Sequence, residues 1–276
     1  MLEIVDVTAG YGRGRNRIDI VTDISMALPA AHVCIMVGRN GSGKSTILRT
    51  ISGIQPPLQG CIRINGQDIS RMTRRQLARN IAVVLPSSAD SAGAGALTVS
   101  EVVAMGRHPY TGISGHLGGD DRRIIAEALD AVGMTDKADT PLADLSDGLR
   151  QKAMIARALA QQTPIIILDE PTAFLDVPAR LALMALSARL AHEHGRTILL
   201  STHDIAPALT APADSIIVVN NATARLYNLT ASDASASDAA SKATASEASE
   251  AVAALNALYA ADGIAFDPAI NDFRRK

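Results

Sequence analysis

Short runs rich in Val and Ile recur along the chain at 33–37, 61–64, 81–85, 165–168, 197–201 and 215–219. Longer stretches with apolar residues at helical spacing lie between them, and this alternation predicts an α/β core with a substantially parallel sheet. The opening run Met1-Leu2-Glu3-Ile4-Val5-Asp6-Val7 alternates apolar and acidic side chains. It reads as a first strand, and it has neither the basic leader nor the apolar stretch of a signal peptide, so the chain is expected to stay in the cytoplasm. The interval 86–164 has little strand character. Its segments 98–106, 120–133 and 147–162 read as helices, and a helical subdomain inserted into the sheet domain is expected there.

After Tyr227 the pattern changes. Residues 231–250 are almost entirely Ala and Ser with scattered acids and one Lys. Such a segment buries too little apolar surface to offset its ordering entropy, which predicts a flexible linker, with a surface helix of Ala as the alternative. Val252, Leu255, Leu258 and Tyr259 then recur at helical spacing, predicting a short C-terminal helix that docks back on the core. The expected organisation is a main domain over 1–228, with its helical subdomain at about 86–164, a linker at 229–250 and a C-terminal helix and tail at 251–276.

Composition narrows the partners. Among 276 residues, 26 Lys and Arg face 28 Asp and Glu, a net charge of −2. No global field draws such a chain onto nucleic acid, and none is expected as a partner. Cys34 and Cys61 sit in short apolar runs, as buried thiols of a reducing compartment do. The strongest apolar run, Ile165-Ile166-Ile167-Leu168, is far below the roughly 18 to 20 residues that span a bilayer. Work on a membrane would need another chain to supply the span.

The chemistry begins at Gly38-Arg39-Asn40-Gly41-Ser42-Gly43-Lys44-Ser45, a full match to the P-loop pattern. Glycines let the backbone curl so that successive amides face phosphate oxygens, and the helix that follows adds its positive end. Lys44 offers a compact cation to the β and γ phosphates, and the Ser45 hydroxyl can ligate Mg²⁺. The flanks fit, with an apolar strand before the loop and a helix running on through Thr46. Much later, Pro164-Ile165-Ile166-Ile167-Leu168 delivers two adjacent carboxylates, Asp169 and Glu170. Alone these could be a solvated turn. Paired with the P-loop they read as a Walker B element, one carboxylate holding Mg²⁺ through water and the other polarising the attacking water.

Leu145-Ser146-Asp147-Gly148-Leu149-Arg150-Gln151 resembles the signature of the ABC (ATP-binding cassette) family. The resemblance runs from the first strand to about Val219. Asp176 in Ala173-Phe174-Leu175-Asp176 matches the D-loop, and His203 in Ser201-Thr202-His203-Asp204 matches the switch histidine. Tyr11 falls where the family places an aromatic against adenine. The implied fold is a P-loop ABC ATPase core with a mainly parallel sheet, an N-terminal antiparallel β portion and an inserted helical subdomain. The implied cofactors are ATP and Mg²⁺.

The resemblance also implies a mechanism. Two copies associate head to tail, each ATP being held by one P-loop, with Thr46 behind it, and by Ser146, Asp147 and Gly148 of the other copy. Glu170 acts as base or water-positioning carboxylate, and His203 and Lys44 stabilise the transferred phosphoryl group. Asp176 links the two sites, and Ser45 and Asp169 serve the metal, Asp169 through water.

Leu145–Gly148 through Ala158-Leu159-Ala160-Gln161, with Glu170–Asp176 and Gly106-Arg107-His108-Pro109-Tyr110-Thr111-Gly112, resembles importer ATPases for iron-siderophore, haem and cobalamin uptake. The expected partners are integral membrane permease subunits at the cytoplasmic face of the membrane and, indirectly, a substrate-binding protein. In that family the 107–112 region lies near the permease. A soluble ABC ATPase of cofactor or cluster assembly is the alternative. One departure stands out: after Val83-Val84-Leu85-Pro86 the family places a magnesium-binding glutamine, and this chain has Ser87. Its shorter side chain implies a water-bridged contact, unless Ser88 or Asp90 swings in.

Overall fold

The computed structural model describes residues 1–86, 96–111, 115–203, 213–229 and 249–258, and the backbone of 264–267 and 272–275. The chain opens with β1 (Leu2–Tyr11), β2 (Ile18–Leu28), β3 (His32–Gly38), α1 (Lys44–Ile51), β4 (Gln59–Ile64) and β5 (Gln67–Asp68). Then come α2 (Arg74–Asn80), β6 (Ile81–Val84), α3 (Val99–Ala104), α4 (Gly119–Ala131), α5 (Asp147–Ala160) and β7 (Ile165–Leu168). It closes with α6 (Val177–His192), β8 (Thr197–Thr202), β9 (Ser215–Asn220), β10 (Thr223–Asn228), α7 (249–258) and a hairpin of β11 (Ile264–Asp267) and β12 (Asp272–Arg275). Two compact units emerge: Met1–Arg71 with Ser187–Lys276, and Met72–Leu186.

The first unit holds two sheets. One is antiparallel in the order β2-β1-β4-β5. Its inner face buries Leu2, Ile4, Ile24, Leu28, Ile62 and Ile64. In the other, β3 pairs in parallel with β8 and β9, and β10 runs antiparallel to β9. Val33 through Val37 are all at most 2% exposed, so β3 is covered on both faces, as a central parallel strand must be. The Thr22 amide donates to the Ala222 carbonyl at 2.9 Å and stitches β2 to the β9–β10 turn.

The parallel expectation holds for β3, β8 and β9 and for β6 with β7. It fails for the run at 61–64. That run lies in β4, antiparallel to β1, and its alternation of half-buried Cys61, buried Ile62, exposed Arg63 and buried Ile64 leaves one face to solvent. Strand β2 escaped the sequence reading because bulges break its register with β1 between Ile4 and Val7 and again beyond Val7. Helix α2 escaped it because its seven residues carry three arginines and one leucine.

The second unit pairs β6 and β7 in parallel, Ile81 opposite Ile165 and Val84 opposite Leu168. Helices α3, α4 and α5 pack together beside them. Their spans match the predicted 98–106, 120–133 and 147–162 to within a few residues, a short 3-10 turn over Met105–Arg107 completing the first. Thr98 and Glu101 form a capping box at α3. The buried small residues Ala153, Ala156 and Ala160 of α5 admit close neighbours. Gly106 is one, since a Cβ there would lie 2.3 Å from the Arg157 carbonyl.

Helix α7 buries Ala251, Leu255 and Leu258. The predicted docking face is thus rotated slightly, with Val252 half-buried and Ala251 inside. Residues 230–248 of the expected linker and Tyr259 lie outside the described residues. No described helix is long and apolar enough to cross a membrane.

Candidate functional site

In the first unit the chain leaves β3 at Gly38 and curls before α1. A Cβ at Gly38 would meet the Ser42 hydroxyl at 2.6 Å and the Val219 carbonyl at 2.7 Å. Gly43 has φ +104°, and a Cβ there would strike Val21 and Ile20. Only glycine fits either place. Ser42 N–H donates to the Arg39 carbonyl at 3.1 Å, closing the curl. The Lys44 ammonium, on a residue 4% exposed, donates to the Gly38 and Arg39 carbonyls at 2.8 and 3.1 Å. No side chain caps α1, which leaves its first amides available to an anion, and the buried Ser42 hydroxyl has no hydrogen-bond partner among the described residues. Together these groups fit the phosphates of a nucleotide. Ser45, the second residue of α1, is half-buried, while Asn40 is exposed.

Tyr11 ends β1 with 45% of its surface exposed, and its hydroxyl shares a hydrogen bond of 2.9 Å with the Thr46 hydroxyl. Gln55 steadies the strand end by donating to the Gly10 carbonyl at 3.1 Å. Arg39 donates from Nη1 to the Leu258 carbonyl at 3.3 Å, which ties α7 to the loop. His203 is exposed just beyond β8.

The opposite end of β3 carries a separate polar cluster. His32 Nε2 lies 2.7 Å from the Ser215 hydroxyl, and Asp214 accepts from the Val33 amide at 2.7 Å and lies 3.0 Å from His192 Nε2. Burial holds the His32 pKa below its ordinary value, against a smaller upward pull from Asp214. Burial also pushes the Cys34 thiol up to about 12, so it is an inert core group rather than a nucleophile.

In the second unit, Asp169 extends the β6–β7 pairing by donating its amide to the Val84 carbonyl at 2.8 Å, and its side chain is fully buried. Glu170 is half-buried and adopts φ +49°, a left-handed conformation that costs a residue with a Cβ about 1 to 2 kcal/mol.

Ser146 caps α5, its hydroxyl accepting from the Leu149 amide at 3.4 Å, and Asp147 pairs with Arg150 at 3.3 Å. A Cβ on Gly148 would lie 2.8 Å from the Phe174 carbonyl, so the start of α5 rests directly on the 173–176 turn. Asp176 caps α6 by accepting from the Ala179 amide at 2.9 Å. A cavity of about 460 Å³ opens between these elements, lined by Ser146, Gly148, Lys152, Phe174 and Asp176. Ser87, Ser88, Asp90 and Asp204 lie outside the described residues.

The bond from Tyr11 to Thr46, the seat of Gly148 on Phe174 and the place of Lys152 join residues distant in the chain. No local pattern announces them. The positive φ of Glu170 likewise has no signal in its residue type, because Glu is a rare occupant of that region.

Residues 21–173 match the family model of the ABC transporter. The chain belongs to the ABC transporter family. It is 41% identical over 196 residues to the iron(3+)-hydroxamate import ATP-binding protein FhuC of Bacillus subtilis, covering 71% of this chain and 70% of that protein. It is 34% identical over 199 residues to the ferric enterobactin transport ATP-binding protein FepC of Escherichia coli, covering 72% and 71%. Among solved structures it resembles the dimeric post-hydrolysis state of the ATP-binding cassette MJ0796 with ADP and Pi bound, at 28% identity and a TM-score of 0.72 over 83% of this chain and 99% of that one. As a member of the ABC family, this chain is an ATP-binding ATPase.

Proposed function

We propose that this ABC ATPase is the motor subunit of an importer for an iron chelate, haem or cobalamin. It works at the cytoplasmic face of a membrane on integral permease subunits, which receive cargo from a substrate-binding protein. The observation that carries the reading is the 41% identity to an iron(3+)-hydroxamate import ATP-binding protein over most of both chains.

The proposed roles follow unit by unit. In the first, the glycine curl and the Lys44 ammonium take the phosphates, Tyr11 stacks on adenine, and His203 steadies the γ-phosphoryl group. In the second, Glu170 orients the attacking water and accepts its proton. Ser146 and Gly148, at the positive end of α5, face the γ-phosphate bound to a second copy, and Asp176 contacts that copy's site. ATP thereby bridges two copies head to tail, and hydrolysis releases them. The hydroxyl of Ser45 and the carboxylate of Asp169, acting through water, are the hard oxygen donors that suit Mg²⁺. Mg²⁺, when bound, neutralises charge on the phosphates. The opening and closing of the pair would drive the permease between its inward and outward states.

Purifying a tagged subunit from membranes tests the reading. A polytopic permease should copurify, and cells lacking the subunit should fail to take up a radiolabelled ferric hydroxamate. Recovery of a soluble scaffold in place of a permease would overturn it.

A further inference from the structure

Helix α6 is apolar almost all round, with two arginines, one serine and one histidine among its 16 residues. On one face Ala179, Ala182, Leu183 and Leu186 recur at helical spacing, and with Lys152 and Ile155 of α5 they line a cavity of about 300 Å³. Leu175 and the end of α4 at 131–133 complete the lining. The alanines on α6 are too short to close the gap. Protein interiors are filled to near crystal density, so a gap of this size leaves its aliphatic walls short of partner atoms. Gly133 and Ala182 are exposed, and the space is open to solvent at that rim.

Among the described residues that line the cavity, Lys152 alone carries a charge. It is half-buried, and its ammonium has neither hydrogen bond nor ion pair among the described residues. Asp147 and Asp176 line the neighbouring signature cavity, which Lys152 also reaches. Both are engaged elsewhere, Asp147 with Arg150 at 3.3 Å and Asp176 with the Ala179 amide at 2.9 Å. The end of α4 is closed on itself, the Gly133 and Met134 amides donating to the Asp130 and Leu129 carbonyls at 2.9 Å. A half-buried cation without an anion, beside an aliphatic space without contents, suits a ligand that brings both missing parts.

We propose that this cavity binds a small aliphatic monocarboxylate from solution, its carboxylate on Lys152 and its chain against Ile155, Leu175 and Leu183. Apart from Lys152, the described lining has no aromatic ring and no side-chain donor or acceptor, which argues against a nucleoside or a sugar. The volume lies at the lower end of small-molecule sites.

Occupancy has a consequence for catalysis. Lys152 stands one turn beyond Gly148 on α5 and lines the cavity of Ser146 as well. Leu175 belongs to the turn on which Gly148 rests. A bound carboxylate neutralises a cation beside the surface that receives the second copy's nucleotide in the reading above, and its chain presses on the adjoining turn. Hydrolysis by the pair should slow, while ATP affinity of the isolated subunit holds, because the P-loop belongs to the other unit. This coupling rests on the roles proposed for Ser146 and Gly148, whereas the binding itself does not.

Isothermal titration of octanoate into the isolated subunit tests the site. Binding should saturate with a dissociation constant below about 1 mM. Lys152→Gln and Ala182→Phe, the second filling the gap from its rim, should each weaken it by more than about tenfold. Octanol, which has the chain without the charge, should bind wild type and Lys152→Gln within about twofold of each other. Saturating octanoate should lower the wild-type ATPase rate by more than about threefold, and Ala182→Phe, with a basal rate within about twofold of wild type, should not respond. Should Ala182→Phe fail to fold, Lys152→Gln and octanol carry the test. No saturable binding to wild type, or wild-type affinity in the folded variants, would overturn the proposal. So would inhibition that persists in Ala182→Phe, the mark of a detergent effect. If octanoate binds but the rate does not move, the Glu170→Gln variant separates the causes. A variant that dimerises in ATP overturns the coupling, and one that does not sinks the roles given to Ser146 and Gly148.

Discussion

The Lys44 ammonium lies 2.8 Å from the Gly38 carbonyl, bridging the two ends of the P-loop. In the proposed role this cation would meet a triphosphate in the ground state as well as in the transition state. Lys44→Ala should therefore raise the dissociation constant for ATP by about tenfold or more, not only slow turnover. A titration with fluorescent ATP checks this, and unchanged affinity would contradict it.

Gly148 and the Phe174 carbonyl leave no room for a methyl group. Gly148→Ala should push the start of α5 away from the 173–176 turn, lowering the ATPase rate by more than about tenfold while ATP affinity in the isolated subunit stays within about threefold. Unfolding free energy should also fall, by an amount typical of overpacking, about 1 to 3 kcal/mol. Steady-state kinetics with equilibrium binding separates these effects.

His32 gives the fold a pH dependence of known sign. Burial holds its pKa below the ordinary 6.5, so between those two values the unfolded chain binds more protons than the folded one. Stability contributed here is full above 6.5, falls as pH drops toward the lowered folded value, and levels off below it. His32→Gln should flatten the melting temperature across that window. An unchanged slope would place the dependence elsewhere.

Leu255 is fully buried on α7. Leu255→Asp should undock that helix and speed limited proteolysis of the C-terminal segment by about tenfold or more, because a lone charge cannot stay in an apolar seat. Mass mapping of the fragments checks it, and wild-type resistance would show that α7 is held by other contacts.

Much of this architecture was legible in the chain. Strands buried on both faces, such as β3 and β7, appear as unbroken apolar runs, and the P-loop and signature stand out in the chain by residue type and spacing. What stayed hidden depends on contacts between distant segments. Strand β2 is disguised by bulges against β1. Helix α2 faces solvent with Arg74, Arg75 and Arg79, and its short arginine-rich run reads as polar coil until Pro109 and Tyr110 are seen to receive it. The parallel sheet wrongly claimed 61–64, because a run such as Cys61-Ile62-Arg63-Ile64 does not reveal which sheet it joins.

The central claim is that Glu170 completes an ATPase whose nucleotide also joins two copies. Glu170→Gln removes a carboxylate oxygen and leaves the P-loop untouched, so ATP should still bind with near wild-type affinity while hydrolysis falls by about a hundredfold or more. Light scattering after gel filtration of this variant, with and without Mg-ATP, is the most direct measurement. The account predicts monomers without nucleotide and a stable dimer holding unhydrolysed ATP with it. A variant that stays monomeric in ATP, or that hydrolyses it at the wild-type rate, would contradict the account.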